Sequence, residues 1–152
     1  MWISGKGGNH VGYEIFSDEW ARHWGEQVKQ NMAYRTAAAS WEWPLVLLIE
    51  RDPSVGITED RGVYLDLYHG ECREARAATK HDIEQVPFVI QGDAYTWVEV
   101  LRGKLEAIST IMRGKLRLTK GNMSTLAGYV LAAQELVKSA QGLESVYPEG
   151  LA

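Results

Sequence analysis

One cysteine in 152 residues, Cys72, leaves no partner for an intrachain disulfide. Long apolar runs are missing as well. The longest aliphatic stretch, Leu45 to Ile49, is five residues, against the roughly 20 that a transmembrane helix needs. The N-terminus offers only Lys6 and scattered glycines where a secretory signal needs a continuous apolar segment. The ending Gly150-Leu151-Ala152 is not the peroxisomal Ser-Lys-Leu address, and the expected location is cytoplasmic. No low-complexity block interrupts the chain. With 45% hydrophobic and 24% charged residues it reads as one globular domain, of a size that buries about two-thirds of its unfolded surface.

The constellations that enzymes use are also absent. There is no nucleophile elbow, paired-acid motif or dinucleotide fingerprint, so no catalytic residue and no cofactor is expected. Gly5-Lys6-Gly7-Gly8 has neither the spacing of a phosphate loop nor the Ser or Thr that follows its lysine. His69 and Cys72, with Asp66 and Glu71 nearby, fall across a tight turn where alternate side chains face opposite ways, and zinc would want two more ligands. His10, His23 and His81 have no partner at ligand spacing and read as surface histidines. A net charge of −4 argues against nucleic acid as a partner.

What the chain does have is strong periodicity. Residues 1–15 carry four glycines and no usable pattern, and read as a mobile arm or a short edge strand preceding a domain over 16–145. Ser17 is a good N-cap with Asp18 and Glu19 in the first turn, and Trp20, Ala21, Trp24 and Val28 form an apolar stripe. A second helical piece covers Met32 to Ala39 and ends before Trp41-Glu42-Trp43-Pro44. Four tryptophans within residues 20 to 43 read as packing against the sheet, although they could equally cover a cavity. Leu45 to Glu50 is a strand. Arg61 to Tyr68 alternates, with Val63, Leu65 and Leu67 inward, and Cys72 to Thr79 returns as its hairpin partner. Val86 to Gln91 adds a fourth strand.

The segment that follows is the most informative. Gly103-Lys104-Leu105 and Gly114-Lys115-Leu116 repeat one tripeptide at an offset of 11 residues. Each copy sits where a helix should stop. Asp93 N-caps a helix whose stripe is Ala94, Trp97, Val98 and Leu101, and Gly103 reads as its left-handed cap. Ala107, Ile108, Ile111 and Met112 make a second stripe, closed in the same way by Gly114. The period then changes to two, giving a fifth strand from Leu116 to Thr119, and Lys120-Gly121-Asn122 turns into a last helix over 122–140. These pieces predict an α+β fold, a five-stranded, largely antiparallel sheet with helices packed on one face.

This order of elements, with both Gly-Lys-Leu copies and the Gly121-Asn122 turn, resembles the sterol carrier protein 2 family. The resemblance is firmest from about Val86 to Ala140. From Phe16 to Thr79 only the sequence of elements agrees, and the Trp-rich first third departs from the family. Asn122 stands where the family often has Asp, a change that keeps a side chain able to cap the next helix. The resemblance implies the same sheet-and-helix arrangement. It also implies non-covalent binding of long apolar molecules, such as sterols, fatty acids or acyl thioesters, in a tunnel between sheet and helices.

Under that implication the tunnel lining falls on Trp97, Leu101, Ile108, Met112 and Leu116, joined by Met123, Leu126, Ala127 and Val130 from the inward face of the last helix. Met112 and Met123 would adapt to variable ligand shapes, or simply fill gaps in the core. Lys104 and Lys115 belong to the surface or the tunnel mouth. From Arg102 to Lys120 the charge is +5, against −9 for the rest of the chain. Such a run is either a solvated face or a contact for an anionic membrane. Two other readings stay open: an accessory or cyclase-like enzyme on an acyl or polyketide-like substrate, and an interaction module whose cavity has closed.

Overall fold

Local capping decides where the helices begin. In the computed structural model, which describes residues 12–151, the Ser17 hydroxyl accepts from the Trp20 amide and starts α1, Asp18–Lys29. Asn31 starts α2, Met32–Ala37, by accepting from the Tyr34 amide at 2.9 Å. The remainder of the 1–15 arm, the Gly5 to Gly8 segment and His10 lie outside the described residues. Tyr13–Glu14 forms β1 and pairs in parallel with β7, Ser145–Val146, and the next residues, Ile15 and Phe16, are buried.

Five further strands make the main sheet: β2, Pro44–Ile49; β3, Arg61–Tyr68; β4, Glu71–Ala77; β5, Phe88–Gly92; and β6, Leu116–Lys120. Their order is β4-β3-β2-β5-β6. Only β2 and β5 run parallel, so the sheet is mixed and mostly antiparallel. Period-two alternation assigns the faces. Leu45, Leu47 and Ile49 of β2, Val63, Leu65 and Leu67 of β3, and Phe88 and Ile90 of β5 belong to the large core under the helices. Val46 and Val89 point the other way.

The helical layer consists of α1 and α2 with α4, Ala94–Leu101; α5, Ala107–Met112; α6, Met123–Ala127; and α7, Val130–Gln141. α7 lies at its centre, touching α1, α2, α4 and α5, while α1 crosses the β4 edge of the sheet. Asn31 ties two helices together, since its amide nitrogen donates to the Glu135 carbonyl and the Ser139 hydroxyl of α7.

Two details depart from the sequence expectation. A short helix, α3, Lys80–Gln85, sits between β4 and β5, and its Ile83, with Val86 just beyond it, packs on Val46 and Val89. The helices are therefore not all on one face. α3 is held by a reciprocal capping box between Thr79 and Asp82. The second departure is the last helix, which is not continuous over 122–140. It breaks at Gly128 and Tyr129, because Tyr129 leaves helical geometry to place its ring edge-on against Trp41, with centroids 5.0 Å apart, and its hydroxyl 2.9 Å from Ser40 Oγ.

Candidate functional site

The two Gly-Lys-Leu copies build the same structure twice. Each glycine has positive φ, 80° at Gly103 and 82° at Gly114, which costs a residue with a Cβ but not glycine. At the end of α4 the Gly103 amide donates to the Val100 carbonyl at 3.0 Å and the Lys104 amide to Glu99 at 2.9 Å. At the end of α5 the Gly114 amide donates to Ile111 at 3.0 Å and the Lys115 amide to Thr110 at 3.1 Å. These are Schellman caps, which satisfy the last carbonyls of each helix and reverse the chain. The lysine is left in solvent and the leucine is sent back toward the protein. Leu105 packs at the edge of the core, and Leu116 is fully buried at the start of β6. Asn122 caps α6 through the Thr125 amide at 3.0 Å, after Gly121 has turned with φ of 119°.

Between the sheet and this helical layer lies a cavity of about 80 Å³. The floor is Leu45, Leu47, Leu67, Ile90 and Leu116. The helices α4 and α5 contribute Trp97, Val100, Leu101, Ala107, Ile108 and Ile111. Leu126, Tyr129, Ala132, Ala133, Leu136 and Val137 come from α6, α7 and the break between them, and Trp24, Tyr34 and Trp41 line the remaining side. Its walls are nearly all hydrocarbon. The indole N–H groups of Trp24, Trp41 and Trp97 donate to the carbonyls of Leu136, Trp43 and Leu48 at 2.9, 2.6 and 2.8 Å, so their polar edges are satisfied within the protein. Burial pushes the Tyr34 phenol well above its ordinary pKa, with a smaller push from the Cys72 thiol.

Of the expected lining, Trp97, Leu101, Ile108, Leu116 and Leu126 face this cavity. Met112, Met123, Ala127 and Val130 do not line it. Met112 is 68% exposed, because α5 turns Ile108, Thr110 and Ile111 inward and leaves its last residue outside. Ala127 is exposed at the end of α6, and the break at Gly128 and Tyr129 resets the helical phase, so α7 buries Ala132, Ser139 and Ala140 most deeply. Met123 and Val130 are half-buried and pack around the core. The reading from sequence missed Trp24, Tyr34 and Trp41, although the density of tryptophan in that region was a signal.

Outside the cavity, His69 and Cys72 lie apart in character. The His69 ring is exposed, 2.8 Å from the Ala39 carbonyl and 3.7 Å from Glu42, while Cys72 is buried and its thiol is pushed up to about 11 by burial. Among the described residues no group of three or more His, Cys, Asp or Glu side chains could hold a metal. The basic segment is partly consumed within the protein. Arg102 covers the Tyr147 ring at 4.7 Å, Lys104 lies 3.8 Å from Glu99, Arg117 pairs with Glu50, and Lys120 donates to the Ile83 and Glu84 carbonyls at the end of α3. Arg113 and Lys115 make no side-chain contact of this kind among the described residues, and both are exposed.

No family model and no curated protein matches the chain. Solved structures do. A crystal structure of sterol carrier protein 2 is 44% identical, with a TM-score of 0.78, covering 86% of this chain and 99% of its own. The chain belongs to the sterol carrier protein 2 family. A conserved hypothetical protein from Thermus thermophilus is 41% identical at the same TM-score of 0.78, covering 94% of this chain and 97% of its own. Sterol carrier protein 2 from Yarrowia lipolytica in its apo form, 18% identical with a TM-score of 0.55 over 91% of this chain and 98% of its own, shares the fold. Against this family the α+β assignment, the mostly antiparallel five-stranded sheet and the motif-bearing helices all hold. No helix among the described residues is long and apolar enough to cross a membrane.

Proposed function

We propose that this protein binds and carries a long apolar molecule, such as a fatty acid, an acyl thioester or a sterol-like lipid, without covalent chemistry. The observation that supports this most strongly is the hydrocarbon-lined cavity at the centre of the fold, where a well-packed core would leave none. Membership of a family whose name denotes sterol carriage supports it too. The lining carries no carboxylate, imidazole, thiol or amine; of its two phenols, that of Tyr129 is paired with Ser40 and that of Tyr34 is held protonated by burial, which suits neither to act as a base. That disfavours the cyclase-like reading.

Magnitudes constrain how loading occurs. At about 0.8 kcal/mol per methylene, a sixteen-carbon chain has roughly 12 kcal/mol of transfer free energy to set against association and ordering. The cavity of about 80 Å³ is smaller than the roughly 150 Å³ that accommodates benzene in an engineered core. A lipid therefore enters only as the walls move apart. α6 is the element suited to move, being five residues long with Leu126 as its one buried side chain. The test is titration with a fluorescent fatty-acid analogue, read through tryptophan emission, since Trp24, Trp41 and Trp97 all line the site. Saturable one-to-one binding tighter than about 10 micromolar is expected. Absence of saturable binding would refute the proposal.

A further inference from the structure

A second space adjoins the cavity. Between the α4–α5 turn and α7 lies an open pocket of about 410 Å³. Val100, Ala107 and Val137 line both spaces, so the two share a wall of small side chains. Leu105, which follows the first glycine cap, lines the outer pocket as well. In chemistry the two spaces differ. The cavity is walled by hydrocarbon, whereas the outer pocket adds Arg102, Gln134, Lys138 and Gln141, four side chains that end in N–H donors. Its one carboxylate, that of Glu106, is spent on α5, accepting from the Ile108 and Ser109 amides at 2.7 and 3.0 Å. The Gln141 amide spans from α7 to the end of α4. Its nitrogen donates to the Leu101 carbonyl at 3.0 Å and lies over Gly103, 2.9 Å from where a Cβ would stand. Neither cation of the pocket is firmly committed. Arg102 covers the Tyr147 ring but makes no hydrogen bond among the described residues. Lys138 pairs with Glu135 at 3.3 Å on the exposed surface, a contact of little strength that a ligand can replace.

We propose that the outer pocket holds the head group of the carried molecule, that this head is an ionised carboxylate, and that the chain passes Val100, Ala107 and Val137 into the cavity. The inference rests on the carrier reading above and narrows it to a fatty acid bound in one direction. A carboxylate accepts hydrogen bonds and donates none, which suits a pocket whose unspent side chains are donors. In an open pocket the head keeps part of its hydration and gains two cations. Drawn into the cavity it would lose that hydration with no counter-charge in the lining.

The experiment uses the full chain with dodecanoate and 1-dodecanol, probes of equal length that differ at the head. Arg102→Gln/Lys138→Gln removes both charges from exposed positions. It is expected to weaken dodecanoate binding about 3- to 10-fold at low salt, the effect of two exposed charge pairs, and to leave dodecanol unchanged. The difference between the two proteins should fade at high salt. With dodecanoate carrying 13C at its carboxyl carbon, the bound signal should move as the pH is lowered from about 8 to about 4, because a head in contact with water titrates, whereas one enclosed by hydrocarbon stays protonated throughout. If the double variant binds dodecanoate as the wild type does, or loses both probes alike, the outer pocket does not hold the carboxylate, while the carrier reading stands. A bound signal that stays fixed over that range would put the head inside the cavity and overturn the assignment. If the wild type binds neither probe, the carrier reading itself fails, and the head-group site with it.

Discussion

Ala133 presents a single methyl group to the cavity from α7, at a position where a larger side chain would project into the space between helix and sheet. That makes it a better probe of space than Met112, which faces solvent. In a filled core, added methylenes cost typically 1 to 3 kcal/mol by forcing neighbours aside. Where a cavity already exists, they occupy it. Ala133→Leu is therefore expected to leave the urea midpoint unchanged or raised, while weakening fatty-acid binding at least tenfold. A strongly lowered midpoint with unaltered affinity would show that the space is not where the ligand goes. The same contrast explains why the lining was half legible in the sequence. Trp97, Leu101 and Ile108 follow from helical phase within one segment. Trp24, Tyr34 and Trp41 reach the cavity through tertiary packing, and no local pattern distinguishes a tryptophan that lines a cavity from one that fills a core.

At the scale of elements, α3 shows how much a few side chains contribute to a short helix. Arg76 on β4 grips the Asp82 carboxylate with both terminal nitrogens, at 2.6 and 3.1 Å, and the Thr79 amide donates to the same carboxylate at 2.7 Å. Arg76, aided by Thr79 and opposed by burial, holds the Asp82 carboxyl well below its ordinary value of 3.8. A depressed carboxyl contributes stability above its unfolded pKa and loses it as pH falls through the folded one. Asp82→Asn should therefore destabilise the protein by about 1.5 to 3 kcal/mol at pH 7, the range for hydrogen bonds to charged groups. The difference from wild type should shrink progressively as pH falls below the ordinary 3.8. Denaturant melts across that window decide it, and a difference that stayed constant with pH would contradict the account. The Thr79 to Asp82 spacing was a capping signal in the sequence, but a six-residue polar segment carries too little periodicity to stand out from a turn. The split between α6 and α7 was equally hidden, since Gly128 is tolerated within helices and the pull on Tyr129 comes from Trp41 and Ser40, far away in sequence. By contrast, Ser17, Asp93, Gly103 and Gly114 act through bonds to residues three to five positions away, and each was legible for that reason.

For the whole molecule, the uneven charge poses the question of a docking face. Ion pairs, a ring contact and carbonyl contacts within the fold absorb most of the 102–120 basic run, leaving Arg113 and Lys115 without such a partner among the described residues, beside the exposed Met112 at the end of α5. Two cations next to an apolar side chain form a small patch suited to an anionic membrane surface, close to the wall formed by Ile108 and Ile111. Attraction of this kind is worth about 1 kcal/mol per basic residue near the surface and is screened by salt. We therefore expect weak sedimentation with phosphatidylserine-containing vesicles at low salt, lost in Arg113→Glu/Lys115→Glu and absent with neutral vesicles. Equal association of wild type and double variant would remove this face from consideration.

The central claim is that the hydrocarbon-lined cavity is a site for a lipid and not a packing fault. Native mass spectrometry of the full chain, as purified and again after incubation with 1-dodecanol and with a long-chain fatty acid, tests it most directly. The account predicts a one-to-one adduct that disappears on denaturation, yields an extractable lipid, and is much reduced in Ala133→Leu. Only the bare polypeptide mass under gentle conditions, before and after incubation with both probes, would contradict it.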